Sequence, residues 1–263
     1  MPNWIKKAGE EISTNTTVAA MNLFHDYTKQ HVDFEAPVAE MSFDEAADTK
    51  DVEVHINVAY NGTNFHMRSI KAEDHEVVQT YVNSQGVVRA KYANKKTPDA
   101  AATKARVKAL ADRFSPKVTD GCFMNGGFYV SDNDTDSFLG MANSGYSGVA
   151  GKTEIAYLFR ADAWSNKPAE IVEEFHVPEE NRLKKEYKGA GTAVVSSLVQ
   201  YTKHLKDKGY KIKGADIEAM RATAMIDNPG SWKVLGKAGF VPYDLDANPD
   251  YGPEIRYQLE LKL

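Results

Sequence analysis

The chain has 263 residues, 42% hydrophobic and 26% charged, proportions that allow a sizeable core and exclude wholesale disorder or a fibrous repeat. A net charge of -5, from 32 Lys+Arg against 37 Asp+Glu, leaves no basic excess for phosphate-driven binding, so no nucleic-acid partner is expected. The lone Cys122 cannot form an internal disulfide, the seven histidines lack paired metal-binding spacing, and no metal is expected.

At about 150 residues per domain, the length fits one enlarged domain or two. Residues 1–20 lack the apolar stretch of a signal peptide, and nowhere do about 18 apolar residues run together. No membrane partner and a cytoplasmic location are therefore expected.

Residues 1–50 are polar and mixed, with one amphipathic helix predicted over 17–31 from the spacing of Ala20, Leu23, Phe24 and Tyr27. Residues 32–49 have no clean period and read as a wrap or linker. From 51 the pattern becomes β: HINVAY, Asn61-Gly62 and TNFHMRSI spell a hairpin, because Asn-Gly suits the positive φ angles of a type I′ turn. A helix is predicted over about 72–83, then a second one capped by Thr97, with Pro98 in its first turn and its end near Ser115.

Strands over 122–130, 138–142 and 153–160, separated by Asp/Asn/Ser/Gly loops, read as an antiparallel meander. A charged stretch, 165–184, precedes a long amphipathic helix over about 191–208, with Val194, Leu198, Thr202 and Leu205 on one face and Gly209 as terminator. A strand within 212–222 follows. A short helix opens at Asn228-Pro229 and closes at Gly239, with Phe240 packing back on Leu235 in a Schellman arrangement. Finally, Ile255, Tyr257, Leu259, Leu261 and Leu263 alternate with polar residues, as in a strand with one buried face. No repeat appears, and this order of elements indicates a mixed α/β or α+β fold.

The most informative segment is KEYKGAGTA, from Lys185 to Ala193, where Gly189 and Gly191 stand as a loop becomes the first turn of the long helix. Free amides and the positive end of the helix dipole form an anion cradle there, and glycine lets a phosphate approach without meeting a Cβ. Plain helix-start packing explains an isolated GxG equally well. A Rossmann fingerprint would need glycine where Val194 stands. Gly151-Lys152-Thr153 ends like a Walker loop, but Tyr146 occupies the place of its first glycine and a strand follows.

Downstream, NPGSWKVLGKAGF sets Asn228, Ser231, Val234, Leu235, Lys237, Gly239 and Phe240 at fixed offsets. This resembles the GNAT N-acetyltransferase superfamily, in particular its ribosomal-protein and protein N-terminal branch. Phe138 to Gly140, Thr153 to Tyr157, and Met67-Arg68 with Glu73-Asp74 extend the likeness over about 51–263, leaving residues 1–50 as an extension with no counterpart. Two features depart from the family pattern: Glu186 stands where the glycine loop usually has Gln or Arg, and about twenty residues are inserted after Trp164.

The resemblance implies a central mixed, mostly antiparallel, splayed sheet flanked by helices, behind a helical N-terminal extension. It implies acetyl-CoA as cosubstrate, its pyrophosphate on the helix-start segment Lys188, Gly189, Ala190, Gly191 and Thr192, with Lys184, Lys185 or Lys188 replacing the loop's missing charge. The pantetheine arm would bond along the sheet edge at Tyr157, Leu158 and Phe159, with Asn228 on the far side.

Transfer to an amine needs a neutral nucleophile and hence a base. Glu154, on the strand face of Ala156 and Leu158 and opposite Ile155, Tyr157 and Phe159, is the candidate, acting through water; a merely solvent-facing carboxylate is the alternative. Many members carry a tyrosine where this chain has Leu235, so Ser231 is the candidate donor to the leaving sulfur; a first-turn serine bonded to its own backbone is the alternative. An amide near Tyr157 or Leu158 would meet the oxyanion.

Trp164 and Trp232 read as core or rim, His176 as part of a solvated insertion, and Cys122 as a small buried apolar residue. The expected activity is N-acetyl transfer by direct attack in a ternary complex, to a protein N-terminus or a small amine, with a homodimer left open. The alternative is a non-catalytic acyl-CoA-binding or interaction module.

Overall fold

The computed structural model describes residues 37–44, 52–83, 98–115, 124–146, 148–163, 179–225, 228–248 and 252–261. The helix expected over 17–31, together with Thr97, Cys122, Trp164 and His176, lies outside the described residues.

Nine strands form one sheet: β1 (Ala39–Asp44), β2 (Glu53–Tyr60), β3 (Thr63–Ser69), β4 (Gly127–Asp132), β5 (Phe138–Tyr146), β6 (Lys152–Phe159), β9 (Ala219–Met225), β10 (Val241–Asn248) and β11 (Gly252–Glu260). Their order is β1-β2-β3-β4-β5-β6-β9-β11-β10, and a separate two-stranded ribbon joins β7 (Lys211–Ile212) to β8 (Ala215–Asp216). The β2–β3 hairpin turns as the sequence predicts, with Asn61 at φ 51 and Gly62 at φ 75. β4 to β6 are the expected antiparallel meander, and β3 joins it antiparallel to β4.

The sequence period sets the two faces of this sheet. Val54, Ile56 and Val58 in β2, Phe65 and Met67 in β3, and Ile255 and Tyr257 in β11 all point inward, at most 9% exposed. They form the main core with α3 (Ala190–Asp207) and α4 (Pro229–Lys237). A smaller core on the other face joins Phe138 and Met141 of β5 to Val78 of α1 (His75–Val78) and Val107 of α2 (Ala100–Ala111).

Four expectations need correction. Residues 32–49 were expected to link, yet Ala39–Asp44 pairs with β2 as an edge strand; Ala39, Met41 and Phe43 supply only three alternations, too short a signal for a period. The helix expected over 72–83 is three short pieces: a 3₁₀ turn at Ala72–Asp74, α1, and a π turn at Gln79–Asn83. α2 is capped by Asp99, whose carboxylate accepts the Ala102 N–H at 2.7 Å, so Pro98 precedes the cap instead of filling the first turn. β10 was not anticipated, although Val241, Tyr243, Leu245 and Ala247 alternate with Pro242 and polar residues; it is an edge strand, which is where a proline and the exposed Val241 and Tyr243 are tolerated.

α3 is also more enclosed than a one-faced helix. From Thr192 to Val199 every residue is buried, because Ala, Val, Ser and Thr are small enough for neighbours to close on both sides. α4 ends as its sequence indicates: the Phe240 N–H donates to the Leu235 carbonyl and the Gly239 N–H to the Gly236 carbonyl, both at 3.0 Å, the two bonds of a Schellman closure.

Candidate active site

β6 and β9 are parallel neighbours joined through the α3 crossover, but their ladder is short. Lys152, Thr153 and Glu154 pair with Ala219, Met220 and Arg221, and there the pairing stops. Past Glu154, β6 stays bonded to β5 through Phe159, while on its other side no strand among the described residues pairs with it. A strand with a neighbour on one side only presents half of its backbone N–H and C=O groups outward. The fork opens into a cleft of about 1190 Å³.

Every residue singled out from the sequence for base, acid or coenzyme contact lines this cleft: Glu154, Tyr157, Leu158, Phe159, Lys188, Gly189, Ala190, Gly191, Thr192, Asn228 and Ser231. Of the three lysines considered for the loop, Lys188 lines it. Lys185 does not, because its ammonium is 2.6 Å from Asp132 at the end of β4, and neither Lys184 nor Glu186 is part of the wall.

Asp132, which sequence reading had left in a turn, builds the loop. Fully buried, it accepts from the Lys185 ammonium, from the Tyr187 hydroxyl at 2.9 Å and from the Asp134 N–H at 3.0 Å. Burial opposes its ionisation, but these donors together bring its carboxyl below the usual range; burial, then Asp132 itself, raises the Tyr187 phenol to about 12. On the other side the Asn61 side chain donates to the Lys188 carbonyl at 3.3 Å, so the β2–β3 turn also holds the segment.

Gly189 is the N-cap of α3, at φ 90, with no side chain to cap the amides that follow. A Cβ there would lie 2.6 Å from the Tyr60 ring and 2.7 Å from the Asn61 amide, so both conformation and space require glycine. Gly191 has a reason beyond the one the sequence suggested. Its Cβ would point at Val234 of α4, at 3.1 Å, and at the Tyr157 ring, at 3.8 Å, so the missing side chain also lets two helices approach.

Asn228 caps α4: its side-chain oxygen accepts the Ser231 N–H at 3.1 Å. Its expected contact along the cleft therefore falls to the rest of the amide. Trp232 is core, 5% exposed, with its indole N–H donating to the Met225 carbonyl at 2.9 Å.

Glu154 sits at the crotch of the fork, on the face opposite the buried Ile155. Burial, and next the charge of Glu254, push its carboxyl above the ordinary carboxylate range against the pull of Arg221 and Arg256. A carboxyl so placed gains basicity. On the opposite face, the Tyr157 hydroxyl lies 2.7 Å from Ser231 Oγ, and burial, only partly offset by that bond, raises the phenol to about 12. The side chain of Tyr157 was missed in the sequence, which indicated only the strand's backbone there. Glu154 and Ser231 thus approach one cleft from the two sides of the splayed sheet.

No family model matches the chain, and no curated protein matches it in sequence. Its fold is found in solved structures. An acetyltransferase of the GNAT family from Bacillus anthracis is 15% identical, over 74% of this chain and 94% of the other, with TM-score 0.50. The ribosomal-protein-S5-alanine acetyltransferase from Vibrio fischeri is 14% identical, over 78% and 96%, with TM-score 0.51. AAC(6')-Ib in complex with ribostamycin and coenzyme A is 15% identical, over 75% and 93%, with TM-score 0.50. The chain has the GNAT fold, a large mostly antiparallel sheet flanked by helices. Among the described residues, no group of three or more His, Cys, Asp or Glu could hold a metal ion, and no helix is long and apolar enough to cross a membrane.

Proposed function

We propose that the chain moves an acetyl group from acetyl-CoA to a primary amine by direct attack in a ternary complex. The observation that carries this reading is the fork between β6 and β9 opening beside an uncapped helix start in one cleft. A pyrophosphate suits the helix start from Lys188 to Thr192, and a pantetheine arm can bond like a strand along the splayed side of β6 from Tyr157 to Phe159. The thioester then lies between Glu154 and Ser231. Structural neighbours named for a ribosomal-protein alanine or holding ribostamycin point to an amine acceptor, whether a protein N-terminus or a small molecule.

Glu154, through a water, takes the proton that the attacking nitrogen sheds, and the Ser231 hydroxyl donates a hydrogen bond to the departing sulfur. An amide on the splayed side of β6 meets the oxyanion. Because burial and Glu254 raise the Glu154 carboxyl, it ionises above its ordinary pH, and kcat/KM rises with pH through that ionisation.

The test pairs calorimetry of acetyl-CoA binding with mass spectrometry of an amine panel. Glu154→Gln should lose about 100-fold in kcat, keep its acetyl-CoA affinity, and lose the acidic limb of the pH profile. Binding without turnover of any amine would leave a coenzyme-binding module; no binding at all would end both readings.

A further inference from the structure

The hydrogen bond between Tyr157 and Ser231, 2.7 Å long, can run in either direction, and the acidity of the two hydroxyls favours one of them. Each hydroxyl has one proton to donate. Among the described residues neither hydroxyl has another partner, but a phenol is far more acidic than an alkyl hydroxyl, so it is the better donor and the serine oxygen the better acceptor. The phenol, which stays protonated because burial raises it to about 12, therefore donates to Ser231 Oγ.

Ser231 then keeps its own proton for something else. Its backbone N–H is already spent on the Asn228 carbonyl and side-chain oxygen, and Tyr157 is the hydroxyl's only partner among the described residues. Ser231 and Tyr157 both line the cleft. With the serine oxygen occupied by an incoming donor, its O–H is left to point into that space.

We infer that Tyr157 is a positioning residue that aims the Ser231 proton at the leaving sulfur. This rests on the acetyltransferase reading and adds to it a second hydroxyl behind the first. In the step concerned, nitrogen forms the C–N bond, the C–S bond breaks and its electron pair stays on sulfur. The nitrogen's proton passes through water to Glu154. The Ser231 O–H bonds the thiolate, strengthened because Tyr157 polarises the serine oxygen from behind. The thiolate afterwards takes a proton from solvent.

The experiment titrates the thiol of CoA bound to the full chain, followed by ultraviolet absorbance of the thiolate, in the wild type, Tyr157→Phe, Ser231→Ala and the double variant. A donor aimed at sulfur favours the thiolate, so the bound thiol should titrate below free CoA in the wild type and higher in Tyr157→Phe. Ser231→Ala should raise it at least as far, and the double variant no further. Turnover should fall about tenfold in Tyr157→Phe with CoA affinity unchanged, and the double variant should match Ser231→Ala, since two groups acting through one bond are not additive. Equal thiol titrations in wild type and Tyr157→Phe, or losses that add, would overturn the positioning role alone. Failure of CoA to bind would overturn it together with the acetyltransferase reading.

Discussion

Two helices begin at the same cleft, and they begin differently. α4 opens with Asn228, whose side chain returns to accept the Ser231 N–H, and with Pro229, which has no N–H to satisfy. α3 opens with Gly189 in the left-handed region and has no capping side chain. One helix start caps the Ser231 N–H with its own side chain; at the other the Ala190 N–H turns back to the Tyr187 carbonyl at 3.2 Å, and no side chain caps the amides of the first turn. Helix starts attract anions through their amides and the dipole, so under the proposed function the diphosphate belongs at α3 and α4 presents Ser231. The loop before α3 is held from outside, by Asp132 on one side and Asn61 on the other, which keeps the amides presented without a cap.

The largest expected effect is at Gly189. Valine there must adopt a positive φ and displace the Tyr60 ring, so Gly189→Val should cost about 3 kcal/mol in denaturant unfolding and abolish measurable acetyl-CoA binding. Retained affinity in a folded Gly189→Val protein would remove α3 as the anion site. Asn228→Ala tests the other start. Loss of a helix cap should lower stability by about 1 kcal/mol, while acetyl-CoA affinity changes less than tenfold. If calorimetry instead shows affinity collapsing with stability intact, Asn228 belongs to the ligand and the distinction between the two helices fails.

The sequence showed the same contrast only in part. Gly189, Gly191, Asn228 and Pro229 mark both helix starts in the linear pattern, since caps and turns depend on residues close in sequence. The hairpin at Asn61-Gly62 and the Schellman end of α4 were legible for the same reason. Long-range contacts were not. Nothing local says that Gly191 faces Val234, that Asp132 captures Lys185 from 53 positions downstream, or that Tyr157 meets Ser231 across the fork. β1 and the pieces around α1 escaped because short elements carry too few alternations or turns to establish a period.

The smallest expected effect lies in the side chain of Lys188, the one lysine of the three that lines the cleft. A cation beside the α3 amides adds attraction for a diphosphate, but it is exposed and screened by salt. Lys188→Gln should therefore weaken acetyl-CoA binding about two- to fivefold at low ionic strength and less in added salt, without changing kcat. Lys233, exposed at the start of the second turn of α4 and also lining the cleft, provides the control, and Lys233→Gln should leave the affinity within twofold. Equal losses at the two lysines would mean that the diphosphate lies between the helix starts, and the assignment to α3 would have to be given up.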